Sequence, residues 1–124
     1  MDAAFSLSFA REWVTFWNGG DIDQIMTHYA KDVEMYSPLI KDLMNIPCGC
    51  LKGKEQLRAY FLAGLQKYPE NKFRLIEVFH SLDSLTILFE GATKKPVAET
   101  LFFDEEGKVN RMIAHYQVAI EGLD

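Results

Sequence analysis

Glu99, in the run Val97-Ala98-Glu99-Thr100-Leu101, stands in the surroundings best suited to chemistry. Side chains alternate along an extended segment, so Val97, Leu101 and Phe103 share its face. A carboxyl among apolar neighbours has its pKa raised, which suits a general acid or base. The bland alternative is a Glu99 that pairs with an Arg or accepts a hydrogen bond from Trp13 and only holds the fold together. Glu34 and Asp32 are local alternative carboxylates, read more simply as a solvated strand face and a turn cap. Cys48 and Cys50 are separated only by Gly49. A disulfide between them closes a very small ring, so two free thiols in a reducing compartment are expected. Zinc needs about four ligands at suitable spacing, and His28, His80 and His115 lie far apart, so no metal and no other cofactor is expected. His115 has the parity opposite to Met112, Ala114 and Tyr116, which points it outward.

The elements that must position these residues are legible in the periodicity. Phe5, Phe9, Trp13, Phe16 and Trp17 recur at helical spacing, giving a first helix from about Ala3 to Asn18 with one aromatic side. Gly19-Gly20 supplies its C-terminal cap, and Asp21 with Gln24 gives the capping-box pattern of a second, shorter helix. That helix should bury Ile22, Ile25, Met26 and Tyr29 and stop near Ala30. A strand is expected from Asp32 to Ser37, ended by Pro38. Leu39 to Lys52 reads as an irregular, apolar covering segment with the character of a lid. Gly53 opens a third helix, Lys54 to about Tyr68, with Leu57, Phe61, Gly64 and Leu65 inward and Pro69 as its stop. Four strands follow: Phe73 to Leu82, Leu85 to Gly91, Val97 to Phe103 and Val109 to Ile120. Their short connections make antiparallel hairpins, so the class is α+β with helices on one face of a twisted antiparallel sheet.

The chain has 124 residues, the size of a single domain spanning 1–124. Hydrophobic residues make up 48% and charged residues 25%, a composition able to bury a core. A net charge of −5 argues against nucleic acid as a partner. No apolar run approaches ~18 residues and the N-terminus lacks a basic leader, so a cytoplasmic protein without a membrane partner is expected.

Four strings in this order carry a family resemblance: Trp17-Asn18-Gly19-Gly20-Asp21-Ile22-Asp23, Tyr29-Ala30-Lys31-Asp32-Val33, Leu51-Lys52-Gly53-Lys54-Glu55-Gln56-Leu57, and Phe103-Asp104-Glu105-Glu106-Gly107-Lys108-Val109. With them the whole chain resembles the nuclear transport factor 2-like superfamily, particularly its SnoaL-like and steroid delta-isomerase-like branch. The resemblance implies a cone-shaped, curved antiparallel sheet, a half-barrel wrapped by three helices around a deep pocket, and frequent homodimers through the outer sheet face. It also places Glu99 in that pocket, at the position of an acidic donor, as the catalytic candidate. Trp13 stands where the isomerases carry an oxyanion-donating Tyr, and Ser37 stands where they carry the base before the proline. Ser37 cannot remove a carbon acid's proton unaided, so steroid delta-isomerase activity is disfavoured. Trp13, Trp17, Tyr29, Ser37, Phe61, Val97, Met112, Ala114 and Tyr116 resemble pocket positions and are the binding candidates, although some must simply fill volume. The expected ligand is small and mostly apolar. The fold hosts isomerases, dehydratases, cyclases and non-catalytic binding or scaffold proteins, so the pocket must decide between them.

Overall fold

A computed structural model describes residues 1–120. Helix α1 spans Ala3–Gly19, α2 Ile22–Met26, α3 Pro38–Met44 and α4 Lys54–Lys67. The strands are β1 Tyr29–Tyr36, β2 Cys50–Lys52, β3 Arg74–His80, β4 Ser84–Glu90, β5 Pro96–Phe103 and β6 Val109–Tyr116. They form one six-stranded, curved and unclosed sheet in the order β2-β1-β6-β5-β4-β3. Strands β3 to β6 make the expected meander, and β1 pairs antiparallel with β2. The β1–β6 pair is parallel, because β1 enters the sheet from the helical half of the chain rather than through a hairpin. Among the described residues no helix is long and apolar enough to cross a membrane.

Local chemistry accounts for the helix ends. Asp2 caps α1 by accepting the Phe5 N–H at 2.8 Å. At the other end Gly20, with φ +73°, takes the left-handed conformation that lets its N–H reach the Phe16 and Trp17 carbonyls. The second helix is shorter than its periodicity predicts. Thr27 turns the chain back on Gln24, and the His28 carbonyl already accepts the Val109 N–H at 2.8 Å, so pairing with β6 starts where helix was expected. Tyr29 therefore faces inward from a strand and not from a helix.

The segment expected to be irregular holds a helix. Ser37 accepts the Leu39 N–H at 3.2 Å and Pro38 occupies the first turn, so α3 begins on a regular cap and the helices among the described residues number four, where three were expected. After α3 the chain turns through Gly49 at φ +64°, and Cys48 and Cys50 are joined by a disulfide. This corrects the expectation of free thiols. The glycine turn sets the two Cα atoms 5.3 Å apart, within ordinary disulfide reach. Cysteine usage consequently gives no argument for a reducing compartment.

The concave face of the sheet carries Leu85, Ile87 and Phe89 from β4, Val97, Glu99 and Leu101 from β5, and Val109, Met112 and Ala114 from β6, all buried. A register irregularity beside Phe103 explains why Val109 and Met112, of opposite parity, both point inward. Helices α1 and α4 lie over this face, and Phe9, Ala10, Trp13, Leu57, Tyr60 and Phe61 complete the core. On the convex face the Thr86 and Thr100 hydroxyls meet at 2.9 Å, and Arg111 lies over the Tyr36 and Phe102 rings at 5.5 Å from each centroid. His80 and His115 are exposed.

Candidate functional site

Between the concave face and helices α1, α3 and α4 lies a cavity of about 210 Å³. Its wall is mostly aromatic and aliphatic. Trp13 and Trp17 come from α1, Leu39 and Leu43 from α3, Tyr60, Phe61, Gly64 and Leu65 from α4, and Phe89, Val97, Glu99 and Tyr116 from the sheet. The 60–64–68 spacing puts Tyr60, Gly64 and Tyr68 on one stripe of the last helix and its cap, a signal present in the sequence but outside its purely apolar positions. Phe73 and Phe89, also missed by sequence reasoning, meet Trp13 at centroid distances of 5.5 and 5.1 Å, Phe73 stacked and Phe89 edge-on, and close the aromatic end. The supposed covering segment supplies wall through α3, by Leu39 and Leu43.

Of the candidate residues, Trp13, Trp17, Phe61, Val97, Glu99 and Tyr116 line this cavity. Tyr29 and Met112 stand one layer behind it, 1% and 0% exposed, with the Tyr29 hydroxyl 3.9 Å from the Met112 sulfur. Ala114 is buried beside Glu99 in the β5–β6 register without reaching the wall. Ser37 is also buried outside the wall, and its side chain caps α3. Glu34 hydrogen-bonds Tyr36 and sits 3.6 Å from Lys52 at the sheet edge. Asp32 is exposed, away from the cavity.

The electrostatics centre on Glu99. Strand pairing fixes it between Ile87 of β4 and Ala114 of β6, so both lateral neighbours are apolar. It is 8% exposed, its Oε2 has no hydrogen-bond partner, and it takes part in no ion pair among the described residues. Neither bland alternative is realised. No Arg pairs with it, and the Trp13 N–H instead donates to the Tyr29 hydroxyl at 3.0 Å. Burial alone pushes the Glu99 carboxyl up to about 8, so it is largely neutral at pH 7. Burial also raises the phenols of Tyr29, Tyr60 and Tyr116, the last to about 12, and a charged Glu99 adds to each rise. The neighbouring Ser37 hydroxyl partly offsets the effect at Tyr60 and Tyr116. The Trp17 N–H approaches the Tyr29 phenol without completing a hydrogen bond.

Elsewhere, His28 packs against the Phe9 and Phe16 rings and burial lowers its pKa, a neutral core histidine 3.5 Å from Glu12. Among the described residues no three His, Cys, Asp or Glu side chains gather as a metal site would require. The chemistry open to this cavity is proton donation and acceptance by one carboxyl in apolar surroundings.

Residues 10–123 match the SnoaL-like domain. The chain belongs to the SnoaL-like family. A SnoaL-like protein of unknown function from Burkholderia thailandensis is 37% identical over 94% of this chain and 98% of that one, with a TM-score of 0.90. A SnoaL-like family protein from Agrobacterium tumefaciens, described as a candidate isomerase, is 15% identical over 91% of this chain and 97% of that one, at 0.73. The epoxide hydrolase/cyclase-like enzyme SalBIII, of pyran ring formation in the polyether salinomycin, is 16% identical over 94% of each chain, at 0.72. At such identities these two likenesses establish the nuclear transport factor 2-like fold of the SnoaL-like chain and nothing of its chemistry. No functionally curated protein matches the sequence.

Proposed function

We propose that this SnoaL-like chain performs acid–base chemistry of the isomerase, dehydratase or cyclase kind on a small, mostly apolar molecule, with Glu99 carrying the proton. One observation supports this reading above the others: a buried carboxyl faces an apolar cavity with an unpartnered oxygen and no compensating cation. An orphan of this kind costs stability, and cores that need only packing do not retain one. At neutral pH Glu99 donates from its acid form to a carbonyl, hydroxyl or epoxide oxygen. The carboxylate left behind, poorly solvated and with a conjugate acid near 8, is a strong enough base to take a proton from the same molecule. Among the described residues no other carboxyl lines the cavity, so one group gives and receives. A volume of about 210 Å³ lies below the ~300–1,000 Å³ of drug-sized sites and favours a small substrate.

The competing reading, a binding or scaffold protein with a vestigial pocket, shares every wall residue and differs only in whether Glu99 exchanges its proton with the ligand. Deuterium incorporation separates the two. Small cyclic ketones incubated with protein in D2O are followed by NMR for exchange next to the carbonyl, with binding measured by calorimetry. The expected result is exchange with the native chain, and its loss with retained binding in Glu99→Gln. Equal exchange in both, or binding without exchange by the native chain, would overturn the catalytic reading.

A further inference from the structure

Tyr68, Asn71, Gly91 and Ala92 border both the cavity and a second, outer hollow of about 270 Å³, whose other walls are Pro69, Glu70, Lys72 and Lys94. The shared residues form a throat between the α4–β3 loop and the β4–β5 turn. Among the described residues, Glu99 Oε2 and Asn71 Oδ1 are buried polar atoms of cavity-lining residues with no hydrogen-bond partner. Buried polar groups are otherwise nearly always bonded, so the Glu99 carboxyl is where an occupant would bond deep inside, and the Asn71 amide marks the way out.

Residue 91, where the two hollows adjoin, has no side chain. A Cβ there would sit 3.6 to 3.8 Å from the Phe73 and Phe89 rings, in ordinary contact, so a larger residue narrows the passage without striking backbone. The outer hollow also differs in charge from the rest of this acidic chain, with Lys72 and Lys94 against Glu70. Lys72 is anchored by donating to the Asn18 carbonyl at 2.9 Å. The turn fixes the Lys94 backbone through its N–H to the Gly91 carbonyl, and its ammonium enters no ion pair among the described residues.

We propose that the ligand is an elongated carboxylic acid, its ring in the inner cavity, its chain passing Asn71 and Gly91, and its carboxylate in the outer hollow at Lys94 and Lys72. This rests on the inner cavity being the ligand site, as argued above, and adds the class of molecule. The geometry calls for a head group that hydrogen-bonds Glu99 and a tail long enough to cross the throat.

Calorimetric titrations with 6-(4-hydroxyphenyl)hexanoate, 6-(4-hydroxyphenyl)hexan-1-ol and the short probe benzyl alcohol test it. The acid should bind about fivefold tighter than the matched alcohol, the scale of an exposed ion pair. That preference should close in the double variant Lys72→Gln/Lys94→Gln and in about 0.5 M salt. Gly91→Val should weaken both long probes more than it weakens benzyl alcohol. Acid and alcohol of equal affinity, or a preference for the acid that survives loss of both lysines, would overturn the proposal. If benzyl alcohol binds and neither long probe does, the inner site stands and the elongated ligand falls. If no probe binds, the inner site falls with it.

Discussion

Replacing Glu99 by Gln keeps the side chain's shape and removes its titration, so the pH dependence of stability isolates what burial does to this carboxyl. Its ordinary value is 4.5 and burial raises it to about 8. The folded protein therefore favours the neutral form. The corresponding stability is fully present below the unfolded value, declines as pH rises from about 4.5, and is entirely lost above about 8. At about 1.4 kcal/mol per pH unit the whole span is roughly 5 kcal/mol, of which roughly 3 kcal/mol has gone by pH 7. A domain of this size has only about 5–15 kcal/mol in total, so the effect is large. The substituted glutamine cannot ionise and carries no such slope. The phenols that a charged Glu99 influences stay protonated in both folded proteins over this range, and His28, whose lowered pKa adds stability lost as pH falls, contributes alike to both. Urea unfolding of both proteins from pH 4.5 to pH 9 is the assay, read as the difference between them. The variant should gain on the native chain by several kcal/mol toward pH 8 and then run level. A difference that stays constant across the range would refute the assignment of a desolvated, uncompensated Glu99.

Tyr29→Phe deletes the acceptor of the Trp13 N–H and leaves a buried donor unpaired, which should cost about 1–3 kcal/mol in urea unfolding. Gly49→Ala places a Cβ 3.0 Å from the Ser37 carbonyl oxygen at φ +64° and should lower the melting temperature through about 1–2 kcal/mol of backbone strain, together with displacement at Ser37. We propose that Phe102 and Ile113, half-buried on the convex face, contribute to a homodimer interface. Light scattering at micromolar concentration should give twice the chain mass and fall to the monomer in Ile113→Glu, whereas a native monomer would end the idea.

The pattern of residues revealed the meander and the inward parity of Val97, Glu99 and Leu101 because period-two alternation is strict in β4 and β5. It misassigned Tyr29 because an i, i+3, i+4, i+7 series through Ile22, Ile25, Met26 and Tyr29 fits a helix equally well, and only pairing with the distant β6 decides against it. Helix α3 was readable from Ser37-Pro38, a cap followed by proline, but the apolar and glycine content further along masked it. Burial in the third dimension was less legible. Ser37, Tyr29 and Met112 are site candidates by position, yet Trp13 and Tyr116 reach the cavity wall and they do not, although Trp13 is as buried as Tyr29, and which side chains reach it depends on how far the sheet curves. Tyr60, Asn71 and Phe73 enter the site only because a loop and a helix cross the mouth of the cone.

The surroundings of Glu99 favour a functional reading over a structural one for a reason internal to the sheet. Its position is dictated on both sides, by Ile87 and by Ala114, and a slip of one residue would turn it to solvent while exposing Val97 and Leu101. The hydrophobic alternation of β5 thus forces a carboxyl into the cavity wall that it would otherwise leave at once. Thr86 and Thr100, on the opposite face, show how this sheet treats a polar residue without such a task, since each hydroxyl finds the other. A structural glutamate at position 99 would be expected to have acquired a comparable partner. Trp13 is within the same cavity wall and carries an indole donor, but its N–H is committed to Tyr29, which is itself buried and held by the Met112 contact. Tyr29 thereby takes up this indole donor, and burial alone sets the Glu99 carboxyl.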